Sequence, residues 1–233
     1  MNAVVTGPRV ALIHALAHSV NPINEAMQRA WPEAVCMNLL DDSLSADLAR
    51  NTVAGGRGLD AAMHQRFEAL AAYAENTGAQ ALLFTCSAFG SCIEAVAARR
   101  PSMPVLKPNE AMVDEAVVAA AGGRIGLVAS FAPTLTSMPA EFPAGTDLAT
   151  ALCTEAMDAL NRGDSELHDA LVVKAAQTLK EQGCTVIALA QFSMARAHVA
   201  VEQAVGLPVL TTPGSAIRAL RQRLQSKVAV KRA

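Results

Sequence analysis

Aromatic residues are scarce: Phe, Trp and Tyr make up 3% of the 233 residues, while hydrophobic residues as a whole make up 52%. The core must be built from Ala, Val, Leu and Ile, which suits helices packed closely on a sheet better than an all-β sandwich. Net charge is small as well. At −2 the chain has no electrostatic pull toward nucleic acid or anionic lipid, so neither is an expected partner. No apolar run approaches the roughly 18 residues of a membrane span, and the stretch up to Ser19 has neither a basic leader nor a small-residue cleavage site, so a cytoplasmic protein is expected. The five cysteines, Cys36, Cys86, Cys92, Cys153 and Cys184, form no CxxC pair. An odd count without regular spacing argues against a disulfide framework and against a zinc site. No GxGxxG leads from a strand into a helix, and GxxxxGK[ST], HExxH and GxSxG are all missing, so neither a cofactor nor a metal is expected.

What is present is a duplication. The segment Gly78-Ala79-Gln80-Ala81-Leu82-Leu83-Phe84-Thr85-Cys86-Ser87 matches Gly183-Cys184-Thr185-Val186-Ile187-Ala188-Leu189-Ala190-Gln191-Phe192 without a gap. Further on, Pro104-Val105-Leu106 matches Pro208-Val209-Leu210. Each copy reads as Gly, buried strand, polar turn, helix, then a short Pro-Val-Leu strand. Apolar runs bounded by turn signals, at 9–14, 34–39, 80–85, 104–106, 124–129, 147–152, 185–189 and 208–210, alternate with helical patterns at 22–30, 59–76, 89–99, 109–121, 154–161, 165–182, 193–205 and 213–224. That alternation predicts an α/β protein of two pseudo-symmetric Rossmann-like halves, each a mostly parallel sheet flanked by helices. Gly122-Gly123 marks the expected switch between residues 1–121 and 122–233, and the helix over 213–224 is expected to return and pack on the first half. The polar stretch from Asp41 to Gly58 reads as a mobile loop over a site.

Ligands of open α/β sheets bind at the carboxyl ends of the strands. Thr85-Cys86-Ser87-Ala88-Phe89-Gly90 lies there, at the start of a helix whose free N–H groups and dipole favour an anion. The same features predict a Cys86 thiol lowered from about 8.5 toward neutrality, fit to act as nucleophile or proton acceptor. The hydroxyls of Thr85 and Ser87 offer further donors. In the second copy Gln191 replaces the cysteine. An amide exchanges no proton with carbon, but it can hold a carboxylate or a developing enolate oxygen. Ser193 reads as the N-cap of the helix it begins. His14 and His18 are candidate proton shuttles, Ser130 and Thr134 candidate binders, and Thr211-Thr212-Pro213 should reach the same place. Lys107 and Glu110 read as solvated. The other four cysteines read as core residues.

The duplicated strand-turn-helix with Cys86 at its first turn, the Val10–His14 strand leading to Asn21-Pro22, and the Pro-Val strands resemble the aspartate/glutamate/hydantoin racemase superfamily, which also holds maleate isomerase and arylmalonate decarboxylase. The resemblance covers nearly the whole chain. It implies a cofactor-free site between two α/β halves, acting at the carbon next to a carboxylate of a small acid (an amino acid, hydantoin or dicarboxylate). It makes Cys86 and Gln191 the catalytic pair, facing each other across a cleft. It makes the turns at Ser87, Ala88 and Phe89 and at Phe192 and Ser193 carboxylate cradles, and with His14, Asn21, Thr85, Ser130 and Thr134 they form the expected substrate-binding set. Racemases of that group use two cysteines, and Gln191 stands where the second is expected. The expected function is an isomerase with one essential thiol. The alternatives are a decarboxylase with Cys86 as sole proton donor, and a domain that binds a small carboxylate without turning it over. A homodimer is the default assembly.

Overall fold

A computed structural model describes residues 7–53 and 58–232 of the protein. The chain runs β1 (Arg9–His14), α1 (Val20–Ala30), β2 (Val35–Leu40), α2 (Ser43–Val53), α3 (Ala61–Asn76), β3 (Ala81–Phe84), α4 (Gly90–Ala98) and β4 (Val105–Leu106). It continues with α5 (Glu110–Ala120), β5 (Arg124–Ala129), α6 (Ala132–Ser137), β6 (Leu148–Leu152), α7 (Thr154–Asn161), α8 (Ser165–Glu181), β7 (Cys184–Leu189), α9 (His198–Val205), β8 (Val209–Thr211) and α10 (Thr212–Arg232). Two four-stranded sheets result, ordered β2-β1-β3-β4 and β6-β5-β7-β8. Every pairing is parallel. The two sheets share one topology, so the repeat in the sequence is a repeat in the fold.

The chain divides into two compact units, one up to Pro108 plus the residues from Ala216 onward, the other Asn109–Ser215. In the first, the central strands β1 and β3 are apolar along their length: Val10 to Ile13 and Ala81 to Phe84 are buried on both faces. Continuous runs of this kind belong to parallel sheets covered by helices on both sides. Each fully buried Leu there contributes roughly 1.5–3 kcal/mol. The edge strand β2 is only half-buried. Phe67 of α3 stacks on Phe84 and lies tilted against Phe89, with ring centroids 5.3 and 4.9 Å apart. Arg221 of α10 donates to the Ala30 carbonyl at 3.0 Å, which ties α10 to α1.

The second unit repeats the scheme in different side chains. Ile125, Leu127, Val186 and Ala188 pack under Met112, Val113 and Ala116 of α5. On the other face Ile187 and Leu189 meet Val172, Ala176 and Leu179 of α8. The apolar face of α5 therefore draws that helix into the second unit, and the division falls before Asn109, where the sequence reading placed it at Gly122. Two small details carry the repeat down to the backbone. Gly78 and Gly183, each just after a helix, both adopt φ of 86°, which other residues rarely reach. Asp60 and Asp164 both cap the following helix, accepting from Met63 N–H at 2.9 Å and Leu167 N–H at 3.0 Å, a contact worth about 1 kcal/mol.

The stretch from Asp41 is not a loop. Ser43 to Val53 forms α2, whose Leu44 and Leu48, one turn apart, are buried. Residues 54–57, which carry most of the glycine cluster, lie outside the described residues. Among the described residues no helix is long and apolar enough to cross a membrane.

Candidate active site

In the first unit, β3 ends at Phe84, Thr85 and Cys86 continue extended, and Ser87–Phe89 form a single 3-10 turn before α4. Cys86 retains some exposure, but its sulfur is enclosed. Burial pushes the thiol up to about 11, outweighing the opposite pull of the nearby Ala88 N–H and Ser45 hydroxyl. The sequence predicted a shift toward neutrality, and the structure reverses it. The cause is the cover: Leu44 of α2 closes with Ile13, Phe67 and Phe84 around a space beside Cys86 that has no room for a water molecule. Desolvation of the charged form then exceeds what the turn's N–H groups return.

Several of the expected binding residues are bonded or packed within the first unit. His14 is fully buried, with Nδ1 2.8 Å from Thr85 Oγ1 and Nε2 2.9 Å from Asn38 Oδ1. Asn38 Nδ2 donates to Asn24 Oδ1 at 3.2 Å, which orients the Asn38 amide. Nε2–H then donates to Asn38, and Nδ1 accepts from the Thr85 hydroxyl. Burial lowers the His14 pKa, against the smaller opposing pull of its bond to Asn38, and so favours the neutral ring. The Thr85 hydroxyl is likewise engaged. The Ala88 N–H serves the sulfur itself, and Phe89 is a core ring. Ser87 is buried at the turn, and Asn21 is exposed on the first turn of α1. Lys107 pairs with Glu94 at 2.7 Å.

In the second unit Gln191 follows β7 in extended backbone and leads into a 3-10 segment, Phe192–Ala197. Its Oε1 accepts from the Ser130 N–H at 2.6 Å and from the Ser130 hydroxyl at 3.1 Å. A backbone N–H only donates, so the amide orientation is fixed and Nε2 is left as the donor for a ligand oxygen. Ser130 thus positions Gln191. Ser193 lies inside the 3-10 segment and caps nothing. Its hydroxyl is buried and has no partner among the described residues. Phe192 is core, and Thr134 is buried in α6.

Three residues escaped the sequence reading: Asn38, Ser45 and Asn109. Asn38 and Ser45 complete the surroundings of His14 and Cys86. Asn109, at the start of α5, and Thr212, just past β8, are buried with unpartnered polar atoms. The register Leu189↔Thr211 puts Thr212 beside the Gln191 turn. Thr212 was legible as a polar residue past a strand. Asn109 looked like an ordinary helix start. Among the described residues no group of three or more His, Cys, Asp or Glu could hold a metal ion. Cys92 and Cys153 are buried, and burial pushes both thiols up to about 11.

Comparison with known proteins agrees with this architecture. The chain superposes on glutamate racemase RacE1 from Bacillus anthracis with a TM-score of 0.72 at 14% identity, over 94% of this chain and 82% of that one. The allantoin racemase from Klebsiella pneumoniae gives 0.66 at 16%, over 97% and 89%. A mutant of arylmalonate decarboxylase gives 0.60 at 19%, over 92% of each chain. At these identities the likeness is one of fold. No functionally curated protein matches the sequence. The sequence profile described as Asp/Glu/Hydantoin racemase matches residues 14–220, and the chain belongs to that family.

Proposed function

We propose that the protein is a cofactor-independent racemase- or isomerase-like enzyme acting at the carbon next to the carboxylate of a small acid. Cys86 is its one essential thiol, and the Gln191 turn serves the same substrate. The observation that carries this reading is the Gln191 amide, anchored through Oε1 to Ser130 with Nε2 left to donate. An amide so fixed stabilises negative charge developing on oxygen but moves no proton. Proton transfer then falls to Cys86. Its thiolate takes the proton from carbon, the electron pair passes into the carboxylate as an enediolate held by Gln191 Nε2 and the Ser193 hydroxyl, and a proton returns to carbon.

A second reading, decarboxylation, has its own support. A thiol pushed up to about 11 is an acid at neutral pH, ready to protonate the enediolate left when CO₂ departs. The two readings separate in the pH dependence of kcat/KM, measured on a panel of aspartate, glutamate, maleate, hydantoins and substituted malonates. A reaction that begins with thiolate gains rate with rising pH toward about 11. One that needs the thiol proton is level through neutral pH and falls only above that value. Inversion or cis-trans conversion without CO₂ release identifies the isomerase. Turnover that Cys86→Ala leaves intact sinks both readings.

A further inference from the structure

A buried polar side chain without a hydrogen-bond partner costs stability, and folded proteins hold few of them. The second unit holds three at the carboxyl ends of its strands. Asn109 is fully buried, and neither its Nδ2 nor its Oδ1 has a partner among the described residues; the buried hydroxyls of Ser193 and Thr212 have none either. Asn109 stands at the N-cap position of α5 but its side chain does not cap the helix, unlike Asp60 and Asp164 on theirs. It heads the buried stripe Met112, Val113, Ala116 and Ala120, which packs with Ala129, Ala190 and Leu210. Because α5 ends where β5 begins, the helix runs against the strands, and Asn109 lies at the end of the sheet where ligands bind. Thr212 is two residues past Leu210 and so continues the face that α5 covers. The Ser215 hydroxyl donates to Glu115 Oε2, which ties the chain after Thr212 to α5. Asn109 and Thr212 thus share one corner, and the register Leu189↔Thr211 sets it beside the Gln191 turn.

We propose that Asn109 and Thr212 form a subsite for a carbamoyl group, the –CO–NH₂ of a carboxamide or ureide, on the acid whose carboxylate the Gln191 turn holds. The proposal rests on that role of the Gln191 turn. A side-chain amide presents one donor and one acceptor side by side in a plane. A carbamoyl group set against it in the opposite sense satisfies both, and the Thr212 hydroxyl serves its remaining N–H or oxygen lone pair. A carboxylate only accepts, and leaves Oδ1 without a donor. An ammonium only donates, and leaves Nδ2 without an acceptor. Charge points the same way: the first turn of α5 carries Glu110 and no cation, and Lys107 is paired with Glu94. The subsite therefore selects acids whose second polar end is neutral, while Ser193 stays with the carboxylate.

The test is isothermal titration, without turnover, of pairs that differ only in the second group: maleamate with maleate, and asparagine with aspartate. The wild type should bind the carbamoyl member of each pair about tenfold more tightly. Asn109→Leu and Thr212→Val, each close in shape to the residue it replaces, should remove most of that preference and leave affinity for the carboxylate member within about twofold. Each variant should also keep the wild-type thermal midpoint or raise it by about 2–4 °C, because a buried polar group without a partner is gone. A lower midpoint in both variants with the ligand preference unchanged would mean that the two residues serve the fold alone, and would overturn the proposal. Gln191→Ala separates this proposal from the one it rests on, since it should weaken both members of a pair alike. If the wild type binds both members equally and Gln191→Ala weakens both, the acid site stands and the carbamoyl subsite falls. If no member binds the wild type at millimolar concentration, the acid site fails and takes the subsite with it.

Discussion

The two turns are built alike and carry different side chains. Both follow the third strand of a sheet with the same order, both are preceded by a glycine at φ of 86°, and both lead into a 3-10 segment. One presents Cys86, enclosed and protonated; the other presents Gln191, oriented by Ser130. The neighbouring strands have diverged to match. At the end of β1, His14 engages Thr85 and leaves the thiol to Ser45 and Ala88. At the end of β5, Ser130 grips the amide directly. The backbone of this fold supplies two equivalent positions at strand ends, and side chains from other elements give each its own surroundings.

The comparison breaks most visibly at the sulfur. Cys86→Ala should reduce kcat by about 10³-fold or more on any substrate the enzyme converts, with folding unchanged by circular dichroism. The matching change in the other turn should cost less. Gln191→Ala removes a preorganised donor and should lower kcat about 10²-fold. Equal losses at the two positions in steady-state kinetics would contradict the division of labour. Ser130→Ala is milder still, because the backbone N–H remains to hold Oε1. A loss of up to about tenfold is expected, and a loss as large as that of Gln191→Ala would mean that the serine meets the substrate itself.

The smallest effect is on stability. Burial holds the folded-state pKa of His14 below the 6.5 of the unfolded chain. The unfolded state therefore takes up a proton that the folded state refuses, and stability falls as pH drops below about 6.5, by at most about 1.4 kcal/mol per pH unit. Above that pH His14 adds no dependence. Thermal midpoints of wild type and His14→Gln, compared on both sides of pH 6.5, should show a steeper acid-side loss in wild type.

Much of this was legible along the chain. The apolar runs announced the strands, and the aligned pair Gly78 and Gly183 announced the repeat and hence the correspondence of Cys86 with Gln191. The surroundings of each turn were not legible, because they come from afar. His14 and Thr85 meet across two strands far apart in sequence. The cover on Cys86 comes from α2, a polar segment with only Leu44 and Leu48 as its buried stripe, stabilised by an arginine on the next helix. The thiol's direction of shift followed from that cover, so a reading confined to the turn and its helix dipole gave the opposite sign. The division before Asn109 was hidden for a similar reason: α5 follows the first repeat in the chain, but its apolar face fits β5 and β7.

The central claim is that one thiol, Cys86, moves the proton while Gln191 only holds charge. Proton NMR in D₂O tests it most directly, on a panel of small carboxylates with wild type, Cys86→Ala and Gln191→Ala side by side. The account predicts deuterium entering at the carbon next to the carboxylate with wild type, none above background with Cys86→Ala, and slow but measurable entry with Gln191→Ala. Exchange that survives in Cys86→Ala and vanishes in Gln191→Ala would contradict it.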